Sequence, residues 1–235
     1  MPYENMKLRM LNGGHSSLAY IASLLFMTES DQSKVTVDRV MRDKDVEQFV
    51  VQYMNEGKES NVLFGICQNY KTFYLTFLFF FSFAFVVMPT LNGGPEGPEA
   101  LLDYQTSLIE RFHNSEISDA VSRLCQDGSK KVTGFIVPPL KELLQNIQKE
   151  NGDPKQIDMI CKVIASWYVY LSCWKEVDDP SGDELVRLAC GGELKQFLVV
   201  GLGSELGCNE MVWKKVETEV LFLKQNGPRE FLKRC

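Results

Sequence analysis

Three side chains near the start of the chain have the right types to act together on an alcohol. They are Lys7, Asn12 and His15, in the segment KLRMLNGGHS. A lysine amine in its neutral form can accept a hydroxyl proton while hydride leaves the same carbon. An amide and an imidazole can donate hydrogen bonds to the carbonyl oxygen that forms. These residue types therefore suit the oxidation of an alcohol without a metal ion.

The segment that must position these side chains has a helical pattern over residues 5–28. In a continuous α-helix, Asn12 and His15 would lie roughly 60° apart around the axis, and Lys7 would lie roughly 80° from His15 on its far side. All three would then border one pocket. The alternative is a surface lysine, a helix-breaking Asn-Gly-Gly and an unrelated histidine, since two glycines interrupt the pattern. Spacing alone favours this second interpretation.

The remaining chain is predicted to be mainly α-helical, with few strand patterns and no β-α-β alternation. Asp153 followed by Pro154 is a helix start signal. His113 is predicted to lie at a helix end, where histidine is favourable. Further helical patterns cover residues 36–54, 100–112, 115–126, 137–149, 154–174, 183–200 and 209–225.

Composition narrows the class of protein. A hydrophobic content of 45% and a charged content of 24% are typical of a globular protein. The net charge of −6 argues against nucleic acid as a partner. Seven scattered cysteines without CxxC spacing, together with two histidines, predict neither a disulfide framework nor a metal site, and they favour a reducing cytoplasm.

Two other segments resemble functional motifs. Residues 199–207, VVGLGSELG, are rich in glycine, but their GxGxxxG spacing and the absence of a surrounding strand and helix unit predict a helix-terminating loop rather than a nucleotide site. Residues 73–88 contain no charge and many phenylalanines. A spanning helix needs about 20 such residues, so this segment is short for a membrane anchor. A membrane-anchored protein is nevertheless a third hypothesis.

The segment PYENMKLRMLNGGHSSLAYIASL resembles the opening of the C-terminal domain in the polyol-specific long-chain dehydrogenases, a family of mannitol 2-dehydrogenase-like enzymes that includes the fructuronate and tagaturonate reductases. Lys7, Asn12 and His15 fit the family's catalytic pattern of Lys, four residues, Asn, two residues and His. The resemblance continues in LLDYQTSLIERFHN, ISDAVSRLCQDGSKKV and VIASWYVYL, and more weakly over residues 183–232. Apart from one insertion, it covers nearly the whole chain.

The resemblance implies a helical substrate domain like the C-terminal domain of 6-phosphogluconate dehydrogenase, without a metal. It makes Lys7, Asn12 and His15 catalytic, and it makes Arg123 and Lys131 substrate-binding groups for a polyol or sugar acid. In the family, NAD(P) binds a separate Rossmann domain, which we expect to be absent from these 235 residues. We therefore expect the chain alone to be inactive, because hydride transfer needs donor and acceptor in one site.

Residues 57–86 are predicted to be an aberrant insert in a domain that covers residues 1–235. Deleting them joins Glu56 to Val87 and restores a Glu-Val-x-Pro-Thr-Leu run that family members have. The codons GGT-AAG for Gly57 and Lys58 would contain a splice donor, and codons for phenylalanine, leucine and serine are pyrimidine-rich. We therefore interpret the segment as a translated retained intron.

The two leading hypotheses belong to different classes. The first is the substrate-binding and proton-transfer domain of a zinc-independent polyol dehydrogenase, which the intact Lys7, Asn12 and His15 set favours. The second is a non-catalytic helical interaction protein derived from a truncated dehydrogenase, which the expected lack of a nucleotide domain favours. An open reading frame upstream of Met1 encoding a strand followed by GxGxxG would distinguish them.

Overall fold

The computed structural model describes residues 7–28, 34–59, 98–150, 152–173, 179 and 182–235. This part of the chain contains helices and one isolated antiparallel bridge, between Thr36 and Ala120. Two π-helices, π1 (Lys7–Asn12) and π2 (Val132–Ile136), and a 3₁₀ turn (Pro154–Ile157) adjoin the α-helices. In chain order the α-helices are α1 (Gly13–Leu25), α2 (Val37–Met41), α3 (Lys44–Glu59), α4 (Pro98–His113), α5 (Val121–Cys125), α6 (Gly128–Lys131), α7 (Val137–Glu150), α8 (Asp158–Cys173), α9 (Asp183–Cys190), α10 (Leu194–Leu202), α11 (Ser204–Gly207) and α12 (Glu210–Leu232). The mainly α fold is therefore confirmed.

Helix α8 lies at the centre of the fold. Every residue from Met159 to Leu171 is buried, because the helix is apolar on nearly all its faces and is surrounded by others. It contacts α1, α3, α9 and α12. Its first turn is capped from a distance by Glu56, whose carboxylate accepts the N–H of Met159 at 2.6 Å and that of Ile160 at 2.8 Å. The end of α3 is thereby fixed to the start of α8.

Helix α1 continues directly from π1, so the prediction that two glycines interrupt this helix is wrong. Gly13 and Gly14 instead let α1 approach α3 closely. A Cβ atom on Gly13 would lie 2.3 Å from the Tyr53 hydroxyl, and one on Gly14 would lie 2.7 Å from the Met54 methyl carbon. The glycines therefore serve packing between helices rather than a turn.

Three other predicted helices differ from the structure. Residues 36–54 form two helices, because the Asp43 carboxylate accepts the Asp45 N–H and starts α3 anew. Residues 183–200 also divide, at a turn where Gly192 has a φ of 77°. In 115–126 only α5 is helical, because Ser118 is left-handed with a φ of 45° and the chain then pairs with Thr36.

Several local predictions are confirmed. Asp153 caps the turn that begins with Pro154, accepting the Lys155 N–H at 2.9 Å. His113 is the last residue of α4. The glycine-rich segment 199–207 is a helix end followed by α11, with Gly203 at a φ of 85° between the two helices.

The phenylalanine-rich segment and most of the predicted insert 57–86 lie outside the described residues. Among the described helices, none combines the length and apolarity needed to cross a lipid bilayer. Glu56, the last residue before the predicted insert, is buried and belongs to the core through its contact with α8.

Candidate active site

Lys7 and Asn12 are the first and last residues of π1. A π-turn closes its hydrogen bonds between residues five apart, and such turns are frequent at functional sites. The wider turn changes the angle around the axis between Lys7 and His15, so the predicted value of roughly 80° does not hold. Asn12 and His15 follow one another through regular α geometry, because Asn12 has a φ of −72° and a ψ of −39°. Lys7 is exposed and Asn12 is half-buried.

The Asn12 amide is not used to cap the helix that follows it. Its backbone is already helical, so the N–H groups that a cap would serve belong to a continuous helix. The Asn12 carbonyl oxygen accepts a hydrogen bond from the Ser16 hydroxyl at 3.0 Å. The backbone is thereby held, and the side-chain amide remains available for a ligand.

A partly buried ion pair anchors π1 to the rest of the fold. The Arg9 guanidinium donates two parallel hydrogen bonds to the Glu142 carboxylate of α7, at 2.5 and 2.6 Å. Such a bidentate pair fixes orientation as well as distance. Helix π2 also packs against π1. The segment that carries Lys7 and Asn12 is therefore rigidly placed.

His15 lies in the first turn of α1, half-buried in a small cleft. Its ring stacks on that of Phe112, with the ring centres 4.4 Å apart and the planes at 21°. The cleft is lined by His15, Val37, Asp38, Arg111, Phe112, Asn114, Ile117 and Asp119. The stack fixes the plane of the imidazole.

Burial is the main reason that the pKa of His15 falls from 6.5 to about 4. The nearby cations Arg111, Arg123 and Lys131 also lower this pKa, while the Asp119 carboxylate raises it. The imidazole is therefore neutral near pH 7, with one N–H donor and one acceptor nitrogen.

Arg123 and Lys131, the predicted substrate groups, both influence His15 electrostatically and therefore lie in its neighbourhood. Arg123 is largely exposed and pairs with the Asp119 carboxylate one turn before it. The Lys131 ammonium donates to the Leu124 carbonyl oxygen at 2.9 Å, and burial lowers the pKa of this lysine. The two cations thus differ in what holds them. Arg123 is held by a side chain and Lys131 by a main-chain carbonyl oxygen.

The structure brings His15, Arg123 and Lys131 into one electrostatic neighbourhood and places Lys7 and Asn12 on the helix that continues into His15. Sequence reasoning missed Phe112 and Asp119. The signal for Asp119 was present in ISDAVSR, where an acidic and a basic residue stand four apart. No local pattern pointed to Phe112, which comes from another helix.

Among the described residues, no group of three or more His, Cys, Asp and Glu side chains is placed to hold a metal ion. The groups that surround His15 are instead cations, amides and two carboxylates, Asp38 and Asp119, each paired with an arginine. Nitrogen donors of this kind match the hydroxyl oxygens of a small polar molecule.

Solved structures with the same fold are dehydrogenases. The chain resembles Pseudomonas fluorescens mannitol 2-dehydrogenase, solved in a ternary complex with NAD and D-mannitol, with a TM-score of 0.68 and 23% identity. This match covers 99% of the chain and 40% of that structure. A substrate-free D-sorbitol dehydrogenase gives a TM-score of 0.67 at 22% identity, covering 98% of the chain and 40% of that protein. The chain therefore shares its fold with part of each of these two proteins.

The family described as the mannitol dehydrogenase C-terminal domain matches residues 1–73 and 87–201. The chain belongs to this family. Mannitol 2-dehydrogenase of Aspergillus fumigatus is 31% identical over 96% of the chain and 38% of its own length. A mannitol dehydrogenase of Saccharomyces cerevisiae is 27% identical over 81% of the chain and 30% of its own length. The chain thus spans about a third of the length of the curated relatives it matches.

Proposed function

We propose that the chain is the substrate-binding and proton-transfer domain of a cytoplasmic, zinc-independent polyol dehydrogenase that interconverts a polyol such as mannitol with the corresponding ketose. The observation that carries the proposal is the continuous helix from Lys7 to His15. This helix carries a lysine, an asparagine whose side chain does not cap the helix, and a neutral imidazole in succession, and the imidazole is close enough to Arg123 and Lys131 to be influenced by their charges. Donors of these types suit a substrate with several hydroxyl groups.

In this proposal the Lys7 amine takes the proton from the reacting hydroxyl group. Asn12 and His15 donate hydrogen bonds to the oxygen of that hydroxyl, and these bonds strengthen as the oxygen becomes a carbonyl. The neutral state of His15 suits this task, because a neutral ring needs no change of charge during the reaction. Arg123 and Lys131 bind hydroxyl groups farther along the substrate, or the carboxylate of a sugar acid.

NAD(P), held by a nucleotide domain, would supply the acceptor for the hydride that leaves the substrate carbon. The glycine-rich segment 199–207 does not fit that cofactor, because it joins two helices instead of following a strand. The relatives' greater length and the solved NAD complex of one of them support a separate domain for the nucleotide. This chain's own residues then bind the polyol and remove its proton.

The test is the pH dependence of kcat in the enzyme assembled with its nucleotide domain. We expect Lys7→Ala to lower kcat on the order of 10²–10⁴-fold while polyol binding changes little, because the proton must leave as hydride transfers. Small amines should restore part of the lost rate. Lys130→Ala is the matched control, since Lys130 is an exposed neighbour of the site that pairs with Asp127. If Lys7→Ala keeps the wild-type profile and rate, Lys7 is not the base.

The roles of the other residues are tested by the same assay. Asn12→Ala and His15→Ala should lower kcat without rescue by amines, because a diffusing amine cannot supply an oriented hydrogen bond to the substrate oxygen. Arg123→Ala should chiefly raise KM. A complete enzyme that binds no polyol would favour the non-catalytic interaction protein instead.

A further inference from the structure

Asp119 has its main chain fixed immediately before α5. Its carbonyl oxygen accepts the Val37 N–H at 2.9 Å, and the Val121 N–H donates to the Val35 carbonyl at 2.8 Å. These bonds flank the antiparallel bridge between Thr36 and Ala120. Asp119 therefore makes one of two long-range backbone hydrogen bonds on either side of Ala120, and its backbone has little freedom to move.

The turn that leads into Asp119 is also specified. Ser118 has a left-handed backbone with a φ of 45°, which is uncommon for a residue other than glycine. Its hydroxyl donates to the Ser115 carbonyl oxygen at 2.6 Å and helps to hold this conformation. The turn reverses the chain so that the Asp119 side chain lines the cleft of His15.

The Asp119 carboxylate pairs with the Arg123 guanidinium one turn later, while the rest of the Arg123 side chain is exposed. The charged groups around His15 are the cations Arg111, Arg123 and Lys131 and the carboxylate Asp119, and Asp38 also lines the cleft. Asp38 pairs with Arg42, on the same α2 segment. Asp119 is thus the acid among these groups that joins α5 to the His15 cleft.

We propose that Asp119 is a positioning residue of this site, whose carboxylate holds the Arg123 guanidinium at the rim of the His15 cleft. An exposed arginine has many rotamers, and ordering them opposes binding. A carboxylate on a fixed backbone restricts these rotamers before any ligand arrives. The pair uses one guanidinium nitrogen, so further N–H groups remain for a ligand. The benefit for substrate binding rests on the proposed function. The restriction of Arg123 by Asp119 does not depend on that function.

The first experiment measures side-chain order by NMR in the 235-residue chain, using the Nε–H of Arg123, assigned through Arg123→Lys. In wild type we expect an order parameter above about 0.6, and in Asp119→Asn a value below it. Asp119→Glu should restore part of the order. Asp127→Asn is the matched control, because Asp127 pairs with exposed Lys130 on the neighbouring turn. Arg42, paired with Asp38, should keep its order in the same spectra.

A measurement on the wild-type chain alone tests the ion pair even if the Asp119→Asn variant fails to fold. In the wild-type chain, about 1 M salt should lower the Arg123 order parameter, because screening weakens an exposed ion pair. Equal order in wild type and Asp119→Asn, or no effect of salt, would overturn the proposal.

The second experiment separates this proposal from the proposed function. In the assembled enzyme, Asp119→Asn should raise KM for the polyol roughly tenfold with kcat nearly unchanged, and Asp119→Glu should recover part of that loss. Loss of Arg123 order with an unchanged KM supports the placement by Asp119 and contradicts substrate binding by Arg123. Retained Arg123 order overturns the placement whatever the kinetics show.

Discussion

The His15 ring stacks on Phe112 in a cleft lined by Asp38 and Asp119, and three nearby cations influence its charge. Its burial favours the neutral imidazole, and the surrounding cations act in the same direction. A histidine of this kind has a consequence for stability, because the unfolded chain binds a proton at a higher pH than the folded chain does. The same environment that prepares the ring to donate a hydrogen bond therefore makes the fold sensitive to acid.

The direction in which pH changes the stability follows from the lowered pKa of His15. This pKa is about 4 in the folded chain, against 6.5 for an ordinary histidine. The stability that this group contributes is present above pH 6.5 and is lost as the pH falls toward 4. Between pH 7 and pH 5 we expect a loss of about 2 kcal/mol. Urea unfolding at the two pH values measures it. His15→Gln should remove most of this dependence, whereas His113→Gln, at the exposed end of α4, should retain it.

At the scale of the elements, close contact between α1 and α3 fixes the position of the helix that carries His15. Gly13 allows this contact, because any Cβ atom there would collide with the buried Tyr53 hydroxyl. We expect Gly13→Ala to destabilise the fold by about 1–3 kcal/mol through overpacking. The matched control is Gly134→Ala in π2, where a Cβ atom meets nothing within 4 Å. That change should be neutral or stabilising by up to about 1 kcal/mol.

Thermal and urea unfolding of both variants measure whether the free energy of unfolding falls in Gly13→Ala and stays equal or rises in Gly134→Ala. Tyr53→Phe removes the hydroxyl that a Cβ atom on Gly13 would meet, so it should relieve part of the Gly13→Ala defect. Equal effects of the two glycine substitutions would mean that backbone entropy, rather than close packing, decides the outcome at Gly13.

The helices and turns also show which parts of the fold could be predicted from the sequence. The Asp153 cap and the end of α4 at His113 depend on neighbouring residues, and the sequence predicted both. The π-turn was not predicted, because an apolar pattern over six residues does not separate it from an α-turn. The division of 115–126 depends on pairing with Thr36, a contact between distant parts of the chain. Lys7, Asn12 and His15 were found through a family pattern rather than through spacing.

At the scale of the whole molecule, the family match includes residues 57–73 of the predicted insert and omits residues 74–86. Glu56 caps α8, so its side chain belongs to the core of the fold immediately before the insert begins. We predict that most transcripts of this locus join the codons of Glu56 and Val87. Long-read RNA sequencing checks this, with the flanking coding sequence as the internal measure of coverage. Uninterrupted reads through the insert in the dominant transcript would contradict it.

The π-turn between Lys7 and Asn12 has a further consequence for how this domain can vary in evolution. Each residue of an α-helix advances the chain by about 100° around the axis. Deleting one residue between Lys7 and Asn12 would close the wide turn into an ordinary one without breaking the helix. The residue lost would be the extra one that the wide turn accommodates, so the lysine would keep nearly the same direction relative to the Asn12 amide. A change of one residue in length at this place is therefore compatible with a continuous helix and with an unchanged direction of the lysine relative to the amide.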